Sequence, residues 1–423
     1  MGSRFLQELK EAHRIIEEVK GLACRVDDVI EVRTCDAIGH VLAEDVIAKI
    51  DYPLFNVSAM DGYAVRAHDI RGAGLTSPVR LKLVGEVKIG EKPTVEVREG
   101  EAVYIRTGGI LPEGADVVVP EEYANLVGDE VEILAELPKY ANVDLKGSFI
   151  KRGEVLLRKG HLMRSWDVAL LLLIGHEEVK VYRKARVALI AVGSELFNPR
   201  EVKGKVMEEL LRGRVPEVSS MIITELLSSL PVQIFHEGIL PDNVDILEKS
   251  LRSLLRAYDV VITLGGTGVS PDDVTYVAVK RLRPEYFVRG VAIRPGRPSG
   301  VALVEGKPVI MLSGYPLAAM IGCMALAEPI LRIVCNLEEG VPKPVIRGVV
   351  VKPISSSPLV DHYVRVVVKK EGDKIVVEPL SIHGSSKLHS LCLSSGIVIV
   401  PRGKEGLGVG EEVEVILLKE IKS

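Results

Sequence analysis

Three groups of residues in this chain have side chains and spacings that could do chemistry on anions. The first is the stretch 258–275, YDVVITLGGTGVSPDDVT, in which an apolar run empties into Gly265, Gly266, Thr267 and Gly268. A buried strand feeding a glycine turn and then a helix start leaves backbone N–H groups where an anion can sit. Glycine suits that place because a side chain would hold phosphate oxygens off the backbone. Ser270, Asp272 and Asp273 follow, offering a helix cap or a metal carboxylate. The second group is Arg289, Arg294 and Arg297, with Pro295, Gly296 and Pro298 stiffening the chain between and after them. Guanidinium keeps its charge when desolvated and forks onto tetrahedral oxyanions. The third is the acidic set Asp61, Glu195, Asp242 and Asp273, all in loop-like surroundings. Carboxylates beside an arginine cluster suit joint handling of Mg²⁺ and phosphate. Each feature also has a plain structural reading: a capped turn, a solvated arginine, a surface carboxylate. The turn matches neither GxGxxG nor GxxxxGK[ST], which argues against a Rossmann dinucleotide site and a P-loop. No histidine pair has HxxxH or HExxH spacing.

The elements that must position these residues follow from hydrophobic periodicity. Strand-like runs at 187–192, 233–239, 259–264, 291–293 and 309–312 alternate with helical patterns at 218–230, 244–258, 273–282 and 317–335. That alternation predicts a doubly wound parallel sheet. Ligands of such sheets collect at the carboxyl ends of the strands. The loops Gly193–Glu195, Asp242, Gly265–Asp273, Arg294–Arg297 and Ser313–Pro316 all follow strands and can face one crevice. Upstream, Phe5, Leu6, Leu9, Ala12, Ile16 and Val19 recur at helical spacing, and a weaker helical pattern runs from Cys24 to Ile50. From Val79 to Leu137 the period shifts to two, predicting a β-rich module. Alternation returns over 345–418, predicting a small β domain. The expected division is 1–50 with 140–185 as a helical linking domain, 51–139 as a β-rich insert, 186–338 as the α/β domain, and 339–423 as the C-terminal β domain.

At 423 residues and a formal charge of −4, the chain can hold several cores and lacks the basic excess of a nucleic-acid binder. Its five scattered cysteines include no CxxC pair, as expected of reduced thiols in a cytoplasmic protein. No signal peptide is visible, and the apolar segment 317–335 is interrupted by Glu328 and Pro329, so no membrane partner is expected.

Several segments together resemble the molybdopterin molybdotransferase family, of the MoeA and gephyrin E-domain type. NVSAMDGYAV (56–65) is similar to the family's NSAMDGYA signature, and IRTGGILPEGADVVVPEE (105–122) to its TG…LP-x-GAD segment. AVGSEL (191–196), AIRPGRP (292–298) and LSGYPLAA (312–319) stand where the family has TGDEL-type, KPGKP and LPGNPVSA loops. The resemblance implies an elongated, four-part subunit: a helical and β-rich N-terminal part, a MogA-like doubly wound α/β domain and a C-terminal β-barrel-like domain. It also implies a homodimer.

The implied reaction is insertion of molybdate or tungstate into adenylylated molybdopterin, with Mg²⁺ as cofactor and AMP released. A molybdopterin adenylyltransferase is a candidate partner. Carried onto matching positions, Asp61, Thr107, Glu195, Asp242 and Asp273 are implied active-site residues, with Asp273, Asp242 and Glu195 as the metal carboxylates. Gly265, Gly266, Thr267, Ser270, Ser313, Gly314 and Pro316 line the substrate. Arg289, Arg294 and Arg297 hold the oxyanions, and Arg365, Ser385 and Ser386 form the far wall. The chain departs from the pattern at Tyr315, where the family has Asn, at Val155, where it has an acidic residue, and at Gly268, where Ser is common. The turn GGTGVSPDDVT itself looks more like the molybdopterin adenylyltransferase (MogA/MoaB) branch. Two alternatives therefore stay open beside the transferase: an adenylyltransferase, and a dimeric molybdopterin-binding scaffold without catalysis.

Overall fold

The computed structural model describes residues 9–268, 273–338, 340, 342–380 and 388–421. Ser270, Ser385, Ser386, Phe5 and Leu6 lie outside the described residues.

The α/β domain is built on six strands: β1 (Ala185–Val192), β2 (Val232–Leu240), β3 (Val260–Leu264), β4 (Tyr286–Arg289), β5 (Gly300–Val304) and β6 (Lys307–Leu312). Their order in the sheet is β2-β1-β3-β6-β5-β4. The first four are parallel, whereas β5 runs antiparallel to both β6 and β4. The sheet is therefore mixed rather than wholly parallel. The expected strand at 291–293 is not part of it: the two residues Ile293–Arg294 pair with Asp361–His362 of the C-terminal domain instead. All five residues of β3 are buried, as a central strand covered on both faces requires.

Helix α1 (Ala12–Leu22) lies N-terminal to the sheet; α2 (Ser219–Leu227), α3 (Val244–Ala257), α4 (Val274–Arg281) and α5 (Pro316–Val334) follow its strands. Asn243 caps α3 by accepting from the amides of Asp245 and Ile246, and Leu247, Leu251 and Leu255 repeat every four residues on its buried face. Ala278 and Val279 of α4 join them over one face of the sheet. On the other face lie α2, α5 and also α1, through Ala12, Ile15 and Val19. Among the described residues the N-terminal helix thus runs from Ala12 to Leu22 and packs in the α/β core, not in the linking domain. The expected boundaries there miss that long-range packing.

Helix α5 is apolar enough by composition to cross a membrane, but 72% of its most apolar window is buried in the protein. Cys323–Ala327 form a π turn within it. Pro329 stands just past that turn, at the start of the second α-helical segment, where a proline is tolerated.

The segment 24–50 holds no α-helix, only a 3₁₀ turn at Thr34–Asp36. It forms strands Val29–Arg33, Val41–Leu42 and Val46–Ile47, the first two flanking Glu178–Tyr182. Their partners lie more than 100 residues away, at Glu178–Tyr182 and Val155–Leu157, so local periodicity could not reveal them. The β-rich insert is a six-stranded sheet that also takes in Gly62–Val65. The C-terminal strands β7 (Val345–Val350), β8 (Asp361–Glu371), β9 (Lys374–Pro379), β10 (Gly396–Val400) and β11 (Glu412–Leu417) close into a barrel, since β8 pairs with both β9 and β10.

Candidate functional site

The four parallel strands end side by side, and their loops carry most of the residues singled out by sequence. At the ends of β1 and β2, the Ser194 amide donates to Asp242 Oδ2 at 2.8 Å and Ser194 Oγ accepts from the Asp242 amide at 3.0 Å. Glu195 folds back so that a Cβ on Gly193 would lie 2.9 Å from its carboxylate. A cavity of about 400 Å³ opens here, lined by Gly193, Ser194, Glu201 and Arg214 among others.

The glycine turn at the end of β3 is pinned from three sides. Gly265 has φ of +102° and a Cβ there would meet the Val192 carbonyl oxygen at 2.3 Å; at Gly266, with φ +63°, it would meet Thr275 Oγ1 at 2.3 Å. Thr275 Oγ1 donates to the Gly265 carbonyl at 2.9 Å, and Thr267 Oγ1 to the Leu312 carbonyl at 3.2 Å. The Gly265 amide is itself engaged by the Leu312 carbonyl at 3.0 Å, so it is not one of the open donors expected of the turn. Gly314 packs against the turn, its would-be Cβ 3.3 Å from Gly265 Cα.

Past the turn, Asp273 stands at the N-cap of α4 but makes no side-chain cap bond. It pairs instead with Arg289, whose Nη2 lies 3.4 Å from Asp273 Oδ2 and 3.3 Å from the Gly268 carbonyl. The Arg289 guanidinium lies 4.3 Å from the centroid of the Tyr276 ring. Arg289 braces the turn and does not line the larger cleft.

That cleft, about 830 Å³, lies between the α/β domain and the barrel. Its walls include Arg294, Arg297, Ser313, Tyr315, His362, Tyr363 and Arg365. The pairing of Ile293–Arg294 with Asp361–His362 is what places the arginine loop against the barrel strand that bears Arg365. The Tyr276 hydroxyl donates to the Pro298 carbonyl, tying the same loop to α4. Burial pulls the Arg297 guanidinium below its ordinary pKa, with neighbouring Arg294 acting in the same direction. Burial does the same at Arg365. Arg297 Nε is buried with no hydrogen-bond partner among the described residues. Desolvated guanidinium groups facing one cavity, one with an orphaned donor, have the chemistry to accept an oxyanion. Pro316 starts α5, a place suited to a residue without an N–H.

Asp61 and Thr107 sit apart, in the inserted β module. Asp61 Oδ1 accepts from both the Thr107 amide and its hydroxyl, each at 2.7 Å. Those two bonds, helped by Arg106 against a small burial effect, hold the carboxyl below its ordinary value. Neither residue lines the 830 Å³ cleft.

Comparison with known proteins agrees along nearly the whole chain. Residues 7–175 match the MoeA N-terminal region (domain I and II), 188–333 a probable molybdopterin binding domain, and 347–418 the MoeA C-terminal region (domain IV). A Methanocaldococcus jannaschii protein named for molybdopterin biosynthesis is 35% identical over 98% of both chains. The chain belongs to the MoeA family. A molybdopterin molybdenumtransferase of Staphylococcus aureus is 29% identical over 90% of this chain and 89% of that protein. Two crystal structures of the MoeA protein of Pyrococcus horikoshii cover 97% of this chain and all of their own, at TM-scores of 0.81 and 0.76 and identities of 27% and 32%.

Within this MoeA-family chain, Glu195, Asp242 and Asp273 stand singly at strand ends. No group of three His, Cys, Asp or Glu placed to hold a metal occurs among the described residues. Such a donor set does not make an all-protein cage. It does fit Mg²⁺, which keeps several waters and binds through one or two carboxylates plus substrate phosphates. Sequence reasoning missed Tyr276, His362 and Tyr363. Tyr276 reads as one more apolar residue of a helix, and the other two become neighbours of the arginine loop only through a strand pairing across domains.

Proposed function

We propose that this chain is a molybdopterin molybdenumtransferase, which inserts molybdate or tungstate into adenylylated molybdopterin and releases AMP. The observation that carries the proposal is the arrangement at the strand ends. The pinned glycine turn follows β3, the 400 Å³ cavity lies beside the end of β1, and the arginine-lined 830 Å³ cleft lies beside the end of β6. A substrate with a pterin at one end, adenine at the other and a diphosphate between suits a central anion turn with a cavity on each side. Two unit negative charges 4 Å apart repel by roughly 4 kcal/mol at an effective dielectric of 20. Molybdate can approach a phosphate only where fixed cations already face it, as Arg294, Arg297 and Arg365 do. Arg289 and Thr275 keep the turn rigid, so little reorganisation is needed as charge shifts. Asp242, Glu195 or Asp273 would hold Mg²⁺ together with the substrate's phosphates, and the ion would supply further charge neutralisation there.

The proposal includes a homodimer in the cytoplasm. Asp61 is an exposed carboxylate fixed in orientation by Thr107, outside the cleft of its own subunit, and a second subunit gives it a site to serve. Incubation with adenylylated molybdopterin, Mg²⁺ and molybdate tests the reading: AMP release with metal-loaded cofactor supports it. Pyrophosphate formed from ATP and molybdopterin would instead make the chain an adenylyltransferase, and binding without turnover would make it a scaffold.

A further inference from the structure

Tyr315 occupies a place that core packing does not explain. It is the residue before Pro316 at the start of α5, and the helix behind it is buried almost throughout its first two turns. Tyr315 is 57% exposed, yet it stands in the wall of the 830 Å³ cleft. Among the described residues it makes no aromatic, cation–π or hydroxyl contact, whereas Tyr276, Tyr104 and Tyr258 all do. Its backbone is held: the Tyr315 amide donates to Ser313 Oγ at 3.3 Å, and the preceding Gly314 carbonyl accepts from Ser219 Oγ at 3.1 Å. A rigid backbone thus presents an uncommitted aromatic face to a cleft whose other walls bring guanidinium groups from Arg294, Arg297 and Arg365.

We propose that Tyr315 is a ring platform, which stacks on the planar nitrogen bicycle of the substrate and sets how tightly that end is held. This rests on the cleft being the substrate site. Adenine and pterin share the chemistry that would be recognised: a flat, two-ring nitrogen heterocycle next to a phosphate-bearing chain. The arginines take the phosphate or oxyanion charge and the tyrosine takes the ring. An asparagine at this position, as in the resembling loop LPGNPVSA, offers hydrogen bonds but no such face.

The test is titration calorimetry of the full-length chain with three separate probes: AMP, pterin-6-carboxylate and molybdate. It compares native protein with Tyr315→Phe and Tyr315→Ala, each checked for native circular dichroism. Loss of a stacked base is expected to cost about tenfold in affinity. Tyr315→Ala should therefore weaken AMP or pterin-6-carboxylate by about that factor, and which one falls identifies the ring. Tyr315→Phe should keep native affinity, and molybdate should bind all three proteins alike. Equal ring affinities for native and Tyr315→Ala overturn the platform, as does a Phe variant as weak as Ala, or a parallel loss of molybdate binding. AMP release from adenylylated molybdopterin by native protein separates the two levels. If it persists while the ring affinities do not move, only the role of Tyr315 falls; if native protein neither binds the rings nor turns over, the reading of the cleft falls and takes the platform with it.

Discussion

At the scale of single residues, arginines that look alike in sequence have different work. Arg297 faces the large cleft with a buried, unpartnered Nε, so Arg297→Ala removes the donor that the proposed function assigns to the oxyanion. A charge-assisted hydrogen bond is worth about 1.5–3 kcal/mol, so the molybdate concentration giving half-maximal AMP release should rise by about tenfold or more. Arg289 is committed to Asp273 and the Gly268 carbonyl; Arg289→Ala should lower the maximal rate and leave the molybdate dependence near native. Steady-state kinetics of the two variants separate these outcomes. Asp61 allows a prediction with pH. Its carboxyl is held below the ordinary 3.8 by the Thr107 hydrogen bonds, so the folded state binds the proton less readily than the unfolded chain. The contact contributes fully above pH 3.8 and is lost as pH falls through the lowered value. The Thr107 amide resonance should therefore hold its position down through pH 3.8 and move only below it.

At the scale of elements, the glycine turn and the domain junctions carry the argument. A methyl group at Gly266 would meet Thr275 Oγ1 at 2.3 Å on a backbone with φ of +63°. Gly266→Ala should cost about 1–3 kcal/mol of local strain, abolishing turnover while circular dichroism stays native. The junction between the linking strands and the α/β sheet is held by Arg183, which bonds Asp259 at 2.8 and 3.1 Å and Asp28 at 2.9 Å. Burial opposes ionisation of Asp259, but the Arg183 and Arg186 hydrogen bonds outweigh it and keep the carboxyl below its usual value. Removing one partner of a partly buried pair strands the other. Arg183→Ala should lower stability by about 1–3 kcal/mol in urea unfolding. The elements visible in sequence were those with local periodicity, such as α3 and β3. The strands at 29–33 and 41–47 escaped because each is short and pairs only with residues beyond position 150.

At the scale of the whole molecule, the arrangement of Asp61 and Thr107 outside their own subunit's cleft makes the proposed homodimer testable by complementation. Asp61→Asn and Arg297→Ala strike different modules. If one subunit's insert serves its partner's cleft, a mixture of the two impaired variants, exchanged into heterodimers and assayed at limiting molybdate, should release AMP faster than either variant alone. No recovery in a mixture shown by mass spectrometry to contain heterodimers would mean that each subunit works alone.

The amino-acid sequence by itself determined the chemistry available. A glycine turn after an apolar run, arginines spaced by prolines and single carboxylates after strands are local features, and local sterics and charge decide what they can bind. Only the tertiary structure decided which of them work together. A two-residue pairing at Ile293–Arg294 carries the arginine loop to the barrel and to Arg365, while Arg289, eight positions from Arg297, turns back to the glycine turn. Such pairings are set by which distant backbones find each other's hydrogen bonds and which side chains fill the space between two sheets. No periodicity within a few residues encodes that.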